Sequence, residues 1–366
     1  MNDNDNDNDM FRLRSIGYGP PAAQRIDACR GNDLPEAEPM RVLQVHRETV
    51  RLHDGVGDCS ARVMPRLTRA LEERGTALAV GDWVLVACDA FGTRWVHERA
   101  EPLSHIERLD ADGRAHAVVS NVDLALLVMG LDDDFNLRRL ERFLALVLEG
   151  RVEAVIVLTK ADIAAATPPR LEVCLDALRT RLPRDVDVVT VNAKDSRAAV
   201  ALSPYLEAGR TLVLLGSSGA GKSTLTNTLM GAPVQDTGDV RERDQRGQHT
   251  TTSRCLFRLP GGACVIDTPG VRTLRPAGTD ASMTASFSDI EALRLTCRFR
   301  NCRHVGEPGC AVRAGVAADR LRNYHKLLRE ARRDGLSPLQ RRAQLAEWKA
   351  RGRAGHARLK SKRGEA

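Results

Sequence analysis

Aromatic side chains are scarce: seven Phe, three Trp and three Tyr make up 4% of 366 residues. Extensive base-stacking surfaces are therefore not expected. No stretch approaches the roughly 18 uninterrupted apolar residues of a membrane span, so no membrane partner is expected. The opening MNDNDNDNDM is polar and acidic, the reverse of a signal peptide. Nine cysteines are mostly scattered rather than gathered into the dense, even framework of a disulfide-stapled secreted domain. Together these absences point to the reducing cytoplasm. Charge is plentiful, with 55 Lys/Arg against 48 Asp/Glu and a net +7. That balance suits a polyanionic partner, or reflects an arginine-rich host proteome.

The length allows two or three domains and a well-buried core. Residues 1–38, rich in Asn, Asp, Gly and Pro, show no periodic pattern and are expected to form a disordered tail. From 39 to 104 the text changes to short runs of strand character: RVLQVHRETVRLHDG, CSARVMP, GDWVLVACDA and TRWVHERAEP. One polar insertion, LTRALEERG, interrupts them. This pattern predicts a small closed β-barrel of OB-fold type, serving either nucleic-acid binding or packing alone.

Residues 105–278 read as an α/β domain. VDLALLVMGL, AVIVLTKAD and VDVVTVNAK are strands that alternate with helices, the first of which is NLRRLERFLALVLEG with Leu137, Leu140, Phe143, Leu144 and Val147 on one face. Such alternation predicts a parallel sheet covered on both faces. A later strand, TLVLL, leads into Gly216-Ser217-Ser218-Gly219-Ala220-Gly221-Lys222-Ser223-Thr224 and then a helix. This is the P-loop pattern in its required strand–loop–helix context. Backbone N–H groups close around phosphate oxygens there, Lys222 reaches the β/γ-phosphates and the Ser223 hydroxyl can ligate Mg²⁺.

Two strand ends choose the base. Thr159-Lys160-Ala161-Asp162 is similar to the Asn-Lys-x-Asp motif of GTPases. An ionised Asp162 accepts from both guanine N1–H and N2–H, a donor pattern that adenine lacks, while Lys160 lays its stem over the ring. Asn192-Ala193-Lys194 resembles the companion Ser-Ala-Lys loop, whose Ala N–H meets guanine O6. Thr159 and Asn192 depart from the common spelling, which puts the strapping hydrogen bonds of the usual Asn in question. Asp267-Thr268-Pro269-Gly270 supplies D-x-x-G, with Asp267 holding Mg²⁺ through water and Gly270 N–H sensing the γ-phosphate. Between P-loop and D-x-x-G, the loop Gly247-Gln248-His249-Thr250-Thr251-Thr252 offers a switch threonine for Mg²⁺, and Thr251 is assigned that role.

The order of these motifs is informative. The base-reading pair precedes the P-loop, so the domain is circularly permuted, and D-x-x-G leads straight into the C-terminal region. Val271 stands where many GTPases place a water-orienting Gln. By chain logic His249 is the candidate replacement, with a solvated loop residue as the other reading.

In the region 279–335, Cys297, Cys302, His304 and Cys310 form C-x4-C-x-H-x5-C. These four ligands meet the tetrahedral requirement of a closed zinc site, with an iron–sulfur centre as the alternative. Residues 336–366 are a basic helix or tail, and Arg341 to Ala366 hold nine Lys/Arg against two Glu. That density suits a phosphate backbone, or a solvated tail.

The permuted base motifs, G-S-S-G-A-G-K-S, G-x-H-T-T-T, D-T-P-G and the C-x4-C-x-H-x5-C cluster together resemble the RsgA (YjeQ) family of ribosome-small-subunit-dependent GTPases. The likeness covers roughly Arg41 to Arg333, including DFNLRRLERFLAL. It implies an OB-fold barrel, a circularly permuted P-loop GTPase domain and a C-terminal zinc domain, with GTP/GDP, Mg²⁺ and one Zn²⁺ as cofactors. It further implies late maturation of the 30S ribosomal subunit, contact with 16S rRNA and hydrolysis stimulated by the subunit, with the histidine before the threonines implicated in hydrolysis. A cytoplasmic monomer is expected. The rivals are a P-loop kinase acting on a small molecule and a switch protein that hydrolyses GTP negligibly.

Overall fold

The computed structural model describes residues 10–30, 36–109, 115–165, 168–183, 185–235, 254–268, 286–334 and 340. Five short strands, β1 (Glu38–Val45), β2 (Thr49–His53), β3 (Asp58–Val63), β4 (Trp83–Cys88) and β5 (Arg94–Arg99), close into a barrel of order β1-β2-β3-β5-β4. The β3–β5 pairing is parallel and the others are antiparallel, the arrangement of an OB-fold. Alternation drives closure: Val50 and Leu52 of β2 point inward between exposed or half-exposed neighbours. The polar insertion is a helix, α2 (Pro65–Glu73), which starts on a proline and turns Leu67 and Leu71 into the barrel core beside Val42, Val84 and Val96. Its apolar residues lie four apart, so two leucines suffice to bury one face.

The expectation of a tail through residue 38 is corrected by residues 10–30. Residues 10–13 are helical and lead into a 3-10 turn, Arg14–Ile16, and then α1 (Pro20–Cys29). Leu13, Ile16 and Ile26 are fully buried, and Tyr18 meets Trp83 edge-on at 4.7 Å between ring centres. Two prolines at the helix start and small Ala22 and Ala23 read as loop text, but Pro fits the first helical turn and the alanines allow close packing. The segment seals the junction between barrel and α/β domain. There the buried Arg41 guanidinium donates to the carbonyls of Ile16 and of Asn121 (3.0 Å) and lies 5.2 Å over the Trp83 ring.

A hairpin, β6 (His105–Leu109) with β7 (Ala115–Ser120), joins the two domains, and Val119 bridges to Val80 of the barrel side. The α/β domain then follows as β8 (Leu124–Gly130), α3 (Leu137–Glu149), β9 (Glu153–Thr159), α4 (Ala161–Ala165), α5 (Pro168–Arg179), β10 (Asp187–Thr190), α6 (Arg197–Leu202), β11 (Thr211–Leu215), α7 (Lys222–Met230), β12 (Cys255–Arg258) and β13 (Cys264–Asp267). Its sheet has the order β10-β9-β8-β11-β13-β12, parallel except for the antiparallel edge strand β12. The first three strands in sequence thus form one half of the sheet and the last three the other. All seven residues of β8 and all five of β11 are buried, as central parallel strands require.

The C-terminal unit consists of α8 (Ser288–Arg294), α9 (Ala311–Gly315) and the long α10 (Ala318–Asp334) around a small core of Phe287, Ile290, Val312, Tyr324 and Leu327. It docks on the outer face of α3. Glu141, which is 2% exposed, accepts from the Arg320 guanidinium at 2.7 Å and from Asn323. Arg320 also binds Asp289 at 2.6 Å, and Arg181 bridges to Asp319 at 2.5 Å. Ala145 of α3 packs into the same core.

Candidate functional site

The P-loop rises from the C-terminal end of β11, at the centre of the sheet. A Cβ on Gly216 would stand 2.3 Å from the Val128 carbonyl oxygen, so only glycine lets the loop leave β11 against β8. Gly221 caps α7 with φ +93°, in the left-handed region. Between them Ser217 is buried, Ser218 and Gly219 are exposed at the rim, and Ala220 faces the core. The Lys222 ammonium sits inside the bowl, donating to the carbonyls of Gly216 (3.0 Å) and Ser217 (2.8 Å). Burial pushes its pKa down to about 8, against the opposing pull of Asp267 and Asp134. Ser223 and Thr224, half-buried, follow on the first turn of α7.

Thr159 stands at the end of β9, fully buried, and its hydroxyl donates to the Ala220 carbonyl at 2.6 Å. The strap between the end of β9 and the P-loop is therefore made by a threonine hydroxyl where GTPases commonly use an Asn amide. Lys160 takes φ +60° and holds Asp132 at 2.5 Å. Burial works against the Asp132 carboxylate, but the Lys160 hydrogen bond and charge keep its pKa below the usual range. Asp162, exposed, lies in the first turn of α4. The loop after β10 is tied to the end of β9 and to α7: Ala161 N–H donates to Val191 (3.3 Å), and the Thr228 hydroxyl of α7 donates to the Ala193 carbonyl (2.6 Å). Asn192 accepts from Lys194 N–H at 3.0 Å through its side chain, closing the loop on itself. Asp134, which no sequence motif marks, accepts from the Ser217 hydroxyl and from Arg139 of α3 through its carboxylate. The three consecutive aspartates at 132–134 were its only signal.

Asp267 ends β13, 1% exposed, and accepts from the Ser223 hydroxyl at 3.1 Å through one oxygen. Its other oxygen is buried and has no hydrogen-bond partner among the described residues. Burial raises the Asp267 pKa, with Lys222 and Ser223 acting against the rise. A buried carboxylate with a spare oxygen beside a serine hydroxyl suits a hard divalent cation such as Mg²⁺. His249, Thr251 and Gly270 lie outside the described residues.

Cys297, Cys302, His304 and Cys310 converge: their ligand atoms all lie within 4.8 Å of one another. His304 Nδ1 is 3.4 Å from Cys310 Sγ and 3.7 Å from Cys297 Sγ, and those two sulfurs are 4.0 Å apart. A tetrahedral zinc with Zn–S near 2.3 Å and Zn–N near 2.0 Å has ligand edges of about 3.5–3.8 Å, so the cluster fits that ion. Cys310 caps α9 and accepts from Arg313 N–H. Backbone N–H groups led by that of Val312 lower the Cys297 pKa. His304 reaches the cluster through a left-handed backbone, φ +60°.

Comparison with known proteins bears on the family and the fold. The family model described as RsgA GTPase matches residues 96–276. The Small ribosomal subunit biogenesis GTPase RsgA of Xanthomonas campestris pv. campestris (strain B100) is 45% identical over 329 residues, 86% of this chain and 87% of that protein. Its namesake in Xanthomonas oryzae pv. oryzae (strain MAFF 311018) is 44% identical over 330 residues, 87% of this chain and 88% of the relative. Among solved structures, YjeQ from Thermotoga maritima superposes with a TM-score of 0.57 at 22% identity, covering 82% of this chain and all (100%) of that one. YloQ, a circularly permuted GTPase, superposes with a TM-score of 0.56 at 21% identity, covering 84% and 99%. The last two speak for the fold alone, and the strand order of the sheet carries the same permutation. With the P-loop, the base loops and the cysteine–histidine cluster in place, the chain belongs to the RsgA GTPase family.

Proposed function

We propose that this GTPase acts in the biogenesis of the small ribosomal subunit: it binds the 30S subunit through 16S rRNA, as a cytoplasmic monomer, and hydrolyses GTP to GDP and phosphate faster in that complex. The names of its relatives support the ribosomal half of this reading. The observation that carries the nucleotide half is the convergence of three loops, at Thr159, Ala193 and Lys222, on one cradle at the strand ends.

In this reading Asp162 accepts from guanine N1–H and N2–H, and Ala193 N–H meets O6. Asp132 fixes the head of Lys160 so that its stem covers the ring. Lys222 exchanges the carbonyls of Gly216 and Ser217 for β/γ-phosphate oxygens, which are better acceptors for a cation. Ser223, Asp267 and Thr251 would hold Mg²⁺, which when bound neutralises charge on the phosphates. Gly270 N–H meets the γ-phosphate, and His249 orients the attacking water in place of the absent glutamine. Cys297, Cys302, His304 and Cys310 would hold one Zn²⁺ in a closed structural site.

GTP turnover titrated with purified 30S subunits tests this reading. Turnover is expected to rise with subunit concentration for the unaltered protein and to stay low for His249→Ala. Equal rates in every case would remove both the stimulation and the histidine role. Binding of GTP in preference to ATP, lost in Asp162→Ala, separates the reading from a small-molecule kinase.

A further inference from the structure

Between α3, the loop that carries the metal ligands and α10 lies an open cleft of about 1410 Å³. Among the described residues, nine arginines and one lysine line it against a single acid, Glu291. Arg322, Lys326, Arg329 and Arg332 stand at intervals of four, three and three along α10, a stripe on one helix face. Like charges at such spacings destabilise a helix on their own, so the stripe is unfavourable unless an anion lies along it. Arg300 faces it from the ligand loop. Arg300, Arg322, Lys326 and Arg332 are exposed and make no ion pair among the described residues.

We propose that this cleft grips the phosphodiester backbone of an RNA strand and thereby clamps the GTPase helix α3 to the cysteine–histidine unit. The proposal rests on the rRNA reading above and places the contact. Guanidinium groups predominate nine to one over ammonium, and the planar fork of arginine matches phosphate oxygens two at a time. Cations spread over three elements exceed what a mononucleotide could neutralise, whereas a strand presents a phosphate at every step. The lining is poor in large apolar anchors, which argues against a protein helix as the occupant. Past α10 the chain continues into the segment with nine Lys/Arg in its last 26 residues, so the charge that begins in the cleft is extended in sequence. The inner wall also touches the nucleotide site: Arg139 lines the cleft and pairs with Asp134, which holds Ser217 of the P-loop.

The test compares the full-length protein with the triple variant Arg300→Ala/Arg322→Ala/Lys326→Ala and with a charge-matched control, Arg151→Ala/Arg179→Ala/Arg197→Ala, on exposed positions outside the cleft. Affinity for purified 30S subunits and for a fluorescently labelled single-stranded RNA is measured across a salt series, with thermal melting verifying the fold. The cleft variant is expected to bind at least tenfold more weakly. Its slope of log K against log salt should be shallower by about 2, at about 0.7 per lost phosphate contact. The control should stay within about twofold of the unaltered protein. Equal losses in both triples would reduce the effect to net charge and overturn the proposal, as would unchanged RNA binding in the cleft variant. If that variant keeps RNA binding but loses the 30S subunit, the occupant is a protein and the proposal also falls. Failure of the unaltered protein to bind either probe would instead remove the rRNA reading on which the proposal rests.

Discussion

The nucleotide cradle is held by sheet backbone, whereas the cysteine–histidine unit is held by four side chains that converge on one point. Behind the P-loop stand β8, β11 and β13, fully or almost fully inaccessible and hydrogen-bonded to one another. Behind the cluster stand two short helices and one long one around a modest core. The cradle can therefore keep its shape empty, with Lys222 satisfied by the loop's own carbonyls. The cluster brings three thiols and an imidazole together with no sheet to hold them. Ligand should act on affinity in the first region and on folding in the second.

Metal removal is the strongest way to break that comparison. Chelation, or Cys302→Ser, is expected to remove stabilisation on the order of 10 kcal/mol from the C-terminal unit. Hydrogen exchange should then rise across 288–334 while 211–230 stays protected, and uniform protection in both would contradict the contrast. Next in size is Glu141→Ala, which removes the buried acceptor shared by Arg320 and Asn323, leaves Arg320 paired with Asp289 alone and should cost about 3 kcal/mol. Denaturant unfolding should show the C-terminal unit coming away first, and a single unshifted transition would mean that the ion pair does not hold the two together.

Lys222→Ala should lower GTP affinity by about 3 kcal/mol, roughly two orders of magnitude, and leave the melting temperature unchanged or raised. The same lysine predicts a pH signature. In the free protein its pKa is depressed to about 8, and bound phosphate would raise it. GTP affinity should therefore be full below pH 8 and fall above it by up to tenfold per unit. Folding stability moves the other way, because the unfolded chain binds more protons between pH 8 and the ordinary lysine range. Calorimetry in buffers of different ionisation enthalpy should detect proton uptake on binding near pH 8.5, and its absence would exclude this coupling. The smallest effect is expected for Thr159→Val, which removes the strap to Ala220. A loss of about 1 kcal/mol in GTP affinity, with the fold intact, would mark the threonine as a working substitute for asparagine.

The cradle was legible from sequence because phosphate binding by backbone demands glycines at fixed spacing, and Gly216 and Gly221 sit where a side chain would clash or strain. The ligands of the cluster were legible for the same reason, since soft donors are rarely spent otherwise. Contacts between elements were hidden. Glu141 reads as a solvated helix residue until α10 covers it, and Asp134 is one aspartate of three. The helix at Pro20 was masked because its few apolar residues matter only once the barrel and sheet surround them. Permutation was visible in motif order, yet the antiparallel edge strand β12 carried no motif to announce it.

The position of β11 between β8 and β13 also bears on how the chain is made. Translation completes β8 to β10 as a half-sheet whose inner edge is β8, seven residues that the finished fold hides entirely. The strand that covers this edge begins at Thr211, so at about 5–20 residues per second the edge stays open for roughly 4–16 s. An unpaired apolar edge is a template for wrong partners. The permutation that routes the switch segment toward the C-terminal unit therefore sets a vulnerable interval in every round of synthesis.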